Sequence, residues 1–462
     1  MLKIFTYIKN TDMIHQPDRR KFLSTLSLAG ASVTLAGSTF AYIQNKVNKP
    51  AILGGPKAHP DQFPAWPVSG KREENGLAEI LQSKKWGRLN GNAVAEFENK
   101  YKEMTGAKHC LGVSSGTSAL YTSLGVLDIG PGDEVIIPVY TFIATYNVVV
   151  LNYALPRFVD TDLESFQIDA SKIEGSINRN TKLILPVHIG GSPADMDAIM
   201  EVAGNHHIPV LEDACQAHLA EWKGKKVGTI GFAGAFSFQS SKNLNSGEGG
   251  AIITNDEMFA KNAFNFHNQS RGNDDENSTY SSTRGTNLRM TEFQGSLLVS
   301  QMSRLEDQAD LRSKNAQYLS GLLSDIPGIY PAKLYPGVTK SAYHLYMFRY
   351  DKNEFAEMPR SRFLEALSAE GVPCSGGYGM MNKENYVQNL AKNRHYLNLY
   401  GKETMQEWLE SSSCPQNDQL CEQAVWFGQS MLLGTKKDMD QIAEAIFKIR
   451  SHAGVLVKSL ST

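Results

Sequence analysis

A chain of 462 residues is too long for a minidomain held by staples and long enough for one large core with a smaller one appended. With 41% hydrophobic and 20% charged residues, and 39 Gly and 18 Pro scattered rather than repeated, it is a folded globular protein, neither disordered, collagen-like nor a coiled coil. Lys plus Arg total 46 against 48 Asp plus Glu, a net charge of −2 without blocks of one sign, which argues against a nucleic-acid partner and for small molecules. Five Cys without CxxC or Cys/His ligand spacing imply neither a disulfide framework nor a metal site; Cys414 and Cys421 could pair in an oxidising compartment or remain thiols.

At the N-terminus, Asp18-Arg19-Arg20-Lys21-Phe22-Leu23 precedes a weakly apolar run from Leu26 to Phe40 interrupted by Gly30 and Gly37. Paired arginines ahead of Phe-Leu resemble the tag read by the bacterial twin-arginine export system, and Thr39-Phe40-Ala41 offers small residues for a signal peptidase. Residues 1–41 are therefore expected to be a signal peptide and the body to be periplasmic or exported. The alternatives are an ordinary helix behind a chance Arg pair, which leaves the protein cytoplasmic, and an uncleaved membrane anchor. No later stretch approaches the roughly 18 apolar residues of a membrane span.

Short β-branched or apolar runs at 109–113, 134–138, 157–159, 182–187, 209–212, 235–238 and 251–254 alternate with amphipathic stretches, which predicts an α/β fold with a mostly parallel sheet covered on both faces. The turn Asp128-Ile129-Gly130-Pro131-Gly132-Asp133 separates a helix from the second strand. After Met290 the pattern is helical to about Leu323, with Leu298, Met302, Leu305 and Ala309 on one buried face. A strand at 343–350 and helices at 360–370 and 439–450 follow. The expected organisation is a large domain over 42–325 and a smaller C-terminal α+β domain over 326–462.

Four stretches carry candidate chemistry. Ser114-Ser115-Gly116-Thr117-Ser118-Ala119-Leu120 follows a strand and opens a helix, which suits either a phosphate monoester at free N–H groups or simple helix capping. In Leu211-Glu212-Asp213-Ala214-Cys215-Gln216-Ala217-His218, Asp213 stands at the end of a predicted parallel strand, where ligands bind in open α/β sheets. It could hold a pyridinium nitrogen protonated, bind a metal or cap a helix. Lys242, on the Gly- and Ser-rich stretch 235–250, reads as a Schiff-base lysine or as an exposed loop lysine. The stretch 284–294 ends in a capping box of Thr291 and Gln294.

Taken together, these residues resemble the DegT/DnrJ/StrS family of pyridoxal-phosphate-dependent sugar and cyclitol aminotransferases. SSGTSAL, PVYTFIAT, LPVHIGG, EDACQAH, SFQSSKNLNSGEGG and NLRMTEFQG followed by SAYHLY stand in the family's order, over roughly residues 50–450. The resemblance implies a type I (aspartate aminotransferase-like) transferase fold, a homodimer with shared active sites, and a catalytic Lys242 that bonds pyridoxal 5'-phosphate while Asp213 pairs with its ring nitrogen. Phe142 matches the ring-stacking position, Gly116, Thr117 and Ser237 the phosphate contacts, and Gln216 a position near the ring hydroxyl. Asn287 matches a residue that reaches the neighbouring subunit's phosphate, and His188 and His344 match positions lining the substrate pocket. The implied activity moves an amino group from Glu or Gln to a keto-sugar or keto-cyclitol. Members in which histidine replaces the lysine are dehydratases, so dehydration is one alternative, and a pocket that binds the cofactor without turnover is another.

Overall fold

The computed structural model describes residues 48–272 and 284–458, so the expected export tag over 1–41 lies outside the described residues. Its central sheet assembles in two parts. Strands β2 (Glu134–Pro138), β3 (Leu155–Val159) and β4 (Thr181–Ile184) pair in parallel in the order β3-β2-β4. Strands β1 (His109–Val113), β5 (Leu211–Asp213), β6 (Ala233–Ser237) and β7 (Gly250–Thr254) stand in the order β1-β7-β6-β5. Parallel bridges between Ile184 and Val210 and between Val187 and Asp213 join the two parts, so β5 lies between β4 and β6.

Helices cross over between the parallel strands: α1 (Gly116–Val126) between β1 and β2, α2 (Ile143–Leu151) between β2 and β3, and α3 (Met196–Asn205) between β4 and β5. Every residue of β2, Glu-Val-Ile-Ile-Pro, is buried, as a parallel strand covered on both faces requires. Strand β7 departs from the parallel pattern and pairs antiparallel with both β6 and β1. The reason is local: residues 238–249, which link β6 to β7, form a compact loop with no crossover helix, and a strand reached without a crossover must return antiparallel.

The single helical run expected over 290–323 is two helices, α4 (Glu292–Met302) and α5 (Leu305–Ser324). At the break, Arg304 is the N-cap of α5 with φ −122° and ψ 0°, outside the helical range, and its guanidinium donates to Val68 O at 3.0 Å and to Glu73 at 2.7 Å. Beyond it, β8 (Ile329–Pro331), β9 (Leu345–Tyr350) and β10 (Ala424–Gly428) form an antiparallel sheet in the order β8-β9-β10. Between β9 and β10 the chain runs through a helix at Arg360–Ala369 and then several short helices that the sequence pattern did not expose. Met381, Val387, Leu390, Tyr396, Met405 and Trp408 from this stretch join the core formed by α1, α2 and β1–β3. Trp408 Nε1 donates to Pro156 O at 2.7 Å, and Tyr396 O–H donates to Ala154 O at 3.1 Å. The open edge beside β3 is thereby covered, which removes a strand edge available for aggregation. Cys414 and Cys421 are buried free thiols. Among the described residues no helix is long and apolar enough to cross a membrane.

Candidate active site

The site forms at the C-terminal ends of β5 and β6. Alternation along β5 turns Glu212 and Asp213 to opposite faces. The Glu212 carboxylate is fully buried and accepts from the N–H groups of Gly228 at 2.7 Å, Ile230 at 2.8 Å and Gly231 at 2.6 Å. It also accepts from His188 Nε2 at 3.0 Å. This carboxylate is an anchor for the turn into β6.

Asp213 is 4% exposed and faces the site. Its Oδ2 accepts from Thr145 Oγ1 at 2.9 Å, and its Oδ1 from the N–H of Cys215 at 3.2 Å. A carboxylate can only accept, so Thr145 is the donor and must in turn accept from Thr141 Oγ1, 3.0 Å away. Thr145 sits in the first turn of α2 and escaped the sequence reading although it lies inside the quoted stretch PVYTFIAT; nothing in one sequence says which hydroxyl of that stretch meets Asp213.

Lys242 occupies the β6–β7 loop, which closes on itself through Phe238 N to Gly249 O, Ser240 N to Gly247 O and Lys242 N to Gln239 O, each at 2.8 Å. The loop is pinned to its surroundings by Trp66 Nε1, which donates to Ser240 O at 3.0 Å, and by its own Asn243 Nδ2, which donates to Ala342 O at 2.7 Å. Lys242 is half-buried rather than an exposed loop lysine. Burial pulls its ammonium below the usual lysine range, against the opposing charges of Cys215 and Asp213 nearby. A lysine so placed is biased toward the free base, the form that attacks a carbonyl.

The phosphate-type feature lies beside it. Ser115 Oγ caps α1 by accepting from Ser118 N at 3.0 Å, which leaves the N–H groups of Gly116 and Thr117 as the first of the helix. A Cβ on Gly116 would stand 2.7 Å from Ser237 Cβ and 2.8 Å from Cys215 Sγ. Only a bare backbone lets this helix start approach Ser237 and the Asp213 strand so closely. The site thus offers a positive helix terminus, a buried carboxylate and an amine biased toward neutrality, and this donor set fits the phosphate, ring nitrogen and aldehyde of pyridoxal phosphate.

The remaining expected residues fall in different places. His344 joins the cluster: its Nδ1 donates to Asn243 Oδ1 at 3.3 Å, and burial, then the charges of Lys242, His218 and Arg312, hold it well below the usual histidine range. Gln216 is buried; its Oε1 accepts from Gly190 N at 2.8 Å and its Nε2 donates to the phenol Oη of Tyr378 at 3.1 Å. Gly190 takes φ +65°, and a Cβ there would stand 2.5 Å from Met347 Cε. His188 is fully buried with Nε2 on Glu212 and Nδ1 accepting from Ala194 N at 3.1 Å, so both ring nitrogens are already engaged. Phe142 caps α2 with 56% of its surface exposed, and Asn287 is exposed beside Asn268, with which it forms an isolated bridge. Thr291 and Gln294 form the expected capping box of α4.

The pattern of the DegT/DnrJ/EryC1/StrS aminotransferase family matches residues 67–447. The chain is 32% identical over 387 residues to 3-amino-5-hydroxybenzoate synthase of Amycolatopsis mediterranei, covering 83% of this chain and 96% of that one. It is 32% identical over 422 residues to the L-glutamine:2-deoxy-scyllo-inosose aminotransferase of Streptoalloteichus tenebrarius, covering 88% and 98%. The crystal structure of 3-amino-5-hydroxybenzoic acid synthase superposes with a TM-score of 0.76 at 31% identity, over 85% of this chain and 99% of that one. The chain belongs to the DegT/DnrJ/EryC1/StrS family and is a pyridoxal-phosphate-dependent aminotransferase of fold type I.

Proposed function

We propose that Lys242 holds pyridoxal phosphate as a Schiff base and that the protein transfers an amino group from glutamine or glutamate to a keto-sugar or keto-cyclitol. The observation that carries this reading is the Lys242 amine, half-buried and biased toward the free base, beside the buried Asp213 carboxylate. The relatives named for glutamine and scyllo-inosose support the cyclitol class.

The cofactor, when bound, supplies an electron-withdrawing ring that stabilises negative charge at the carbon bearing the substrate nitrogen. Asp213, oriented by Thr145, keeps a proton on the ring nitrogen. Gly116, Thr117 and Ser237 take the phosphate, and Phe142 covers a ring face. With the cofactor in place, Lys242 Nζ would serve as the base that takes the proton from the substrate carbon and as the acid that returns it. Asn287 completes the site across a homodimer, where the exposed Phe142 also becomes covered. Retention of lysine at 242 favours amino transfer over dehydration. Residues 1–41 direct the folded protein through the twin-arginine route, which fractionation of the host checks.

The purified protein should absorb in the visible with pyridoxal phosphate and lose that absorbance on addition of glutamine. It should then aminate 2-deoxy-scyllo-inosose or a related keto-polyol, read by product mass. A protein whose absorbance ignores amino donors is a binder without turnover and refutes the reading.

A further inference from the structure

Lys242 can take and return a proton only where its amine is held, and the β6–β7 loop that carries it contains neither helix nor strand to hold it. The peptide that joins Ser240 to Ser241 lies one residue ahead of Lys242 and is fixed from a distant part of the chain: Trp66 Nε1 donates to Ser240 O across a separation of 174 residues. Trp66 belongs to a strap, residues 48–70, that has no regular structure beyond a short 3₁₀ turn at Ala51–Leu53 and is nevertheless anchored at both ends. At one end the fully buried Glu370 accepts from Ala51 N at 2.8 Å, Ala58 N at 2.9 Å and Lys448 Nζ at 2.8 Å. At the other, Val68 O accepts from Gln301 Nε2 at 2.7 Å and from the Arg304 guanidinium at 3.0 Å. The indole is therefore a fixed point against which the loop is set.

The plane of the indole is fixed in its turn by Arg312, on α5. That side chain is fully buried, its Nε donates to Gln429 Oε1 at 2.8 Å, and its guanidinium carbon lies 5.3 Å from the centroid of the Trp66 ring. Its other two nitrogens have no acceptor among the described residues. A guanidinium keeps its charge at any working pH, and burying one with only a neutral hydrogen-bond partner costs stability, so packing does not account for it. What the geometry offers this charge is the negative face of the indole. A cation on that face holds the ring plane, and by polarising the ring it strengthens the N–H as a donor to Ser240 O.

We propose that Trp66 is a positioning residue for the Lys242 amine: held in plane by Arg312, its N–H sets the peptide ahead of Lys242 and with it the distance between Nζ and the proton that Nζ moves. The inference rests on the functional reading above, in which Lys242 is the base. A small displacement of the amine leaves cofactor and donor bound but slows proton transfer steeply, because the reacting atoms must meet within about 3–3.5 Å.

The test is the half-reaction of the full chain loaded with pyridoxal phosphate: the rate at which visible absorbance is lost on mixing with saturating glutamine, with and without deuterium on the carbon that bears the donor nitrogen. Trp66→Phe keeps an aromatic face for Arg312 and deletes the N–H. It is expected to slow the absorbance loss about tenfold and to enlarge the isotope effect, while the cofactor dissociation constant and the melting midpoint stay at the parent's values. Arg312→Leu, which frees the indole plane, is expected to show the same kinetic signature, and a parent-like rate there overturns the part given to Arg312. A parent-like rate or an unchanged isotope effect in Trp66→Phe overturns the assignment. So does a slowing that appears only in Trp66→Leu, where the ring itself is lost, because the side chain would then act by packing. A parent protein whose absorbance ignores glutamine overturns the functional reading and this inference together, whereas a responsive parent with an indifferent Trp66→Phe overturns this inference alone.

Discussion

Thr145 Oγ1 and Asp213 Oδ2 lie 2.9 Å apart, and Thr141 in turn donates to Thr145. The Asp213 carboxylate, proposed to pair with the ring nitrogen, is thus aimed by a helix, α2, whose N-cap residue is Phe142. A hydrogen bond to a charged group contributes about 1.5–3 kcal/mol. Thr145→Val removes it with little change in volume. The expected result is a cofactor dissociation constant higher by roughly 10- to 100-fold, with a near-native unfolding midpoint, measured by absorbance titration and thermal melting. An affinity equal to the parent's would remove Thr145 from the site.

Lys242 separates a catalytic amine from a mere cation. Lys242→Ala should lose the visible absorbance of the bound cofactor, and proton transfer alone accounts for about 10²–10⁴-fold of turnover. Lys242→Arg is the sharper variant, because it keeps the charge beside Asp213 and cannot release its proton at any working pH. Both variants should be inactive, in steady-state rates with glutamine and a keto-cyclitol. If Lys242→Arg retained turnover, the residue would be an electrostatic partner only.

The strand positions around the site were legible because parallel strands buried on both faces write themselves as short apolar runs; β2 is one, with Asp213 and Lys242 placed by the strand ends that follow. Two kinds of information were not. The reversal of β7 depends on how residues 238–249 close, through backbone hydrogen bonds that carry no residue code. The contact between Tyr378 and Gln216 depends on a segment rich in glycine, with no period of its own, being drawn to the sheet across a sequence separation of 162. His188 illustrates the converse: beside Asp213 in topology, it is turned to Glu212, and the sequence alone gives no sign of which way it faces.

Glu212 accepts hydrogen bonds from three backbone N–H groups and the His188 ring, all within 3.0 Å. Each of its two oxygens faces donors only. Glu212→Gln necessarily turns an NH₂ toward N–H groups and removes the charge that satisfied them. The cost expected is about 3–5 kcal/mol, the range for breaking a buried charged network by altering one partner. Chemical denaturation should register this as a lower midpoint with an unchanged slope. A loss below about 1 kcal/mol would show that the turn at 228–231 holds without its anchor.

Acid should weaken the fold through its buried histidines. His218 Nε2 donates to Ser237 O at 2.9 Å, and because a neutral ring carries one N–H, Nδ1 accepts from Tyr101 O–H at 3.1 Å. Burial, despite the hydrogen bond to Ser237, lowers His218 to about 3, and burial together with Arg88 lowers His267 to about 3. Both are bases whose folded value lies below the unfolded 6.5, so the unfolded chain binds protons that the folded chain refuses. Their stabilising contribution is complete above about pH 6.5 and is lost as the pH falls through the window from 6.5 toward 3. At pH 5.5 each should have given up about 1 kcal/mol relative to pH 7.5. Urea unfolding at the two pH values measures the difference, and His218→Gln, which removes one of the titrating groups, should reduce it. A stability independent of pH across that interval would mean that these rings accept protons in the folded state, and Tyr101 O–H would then lose its acceptor at His218 Nδ1.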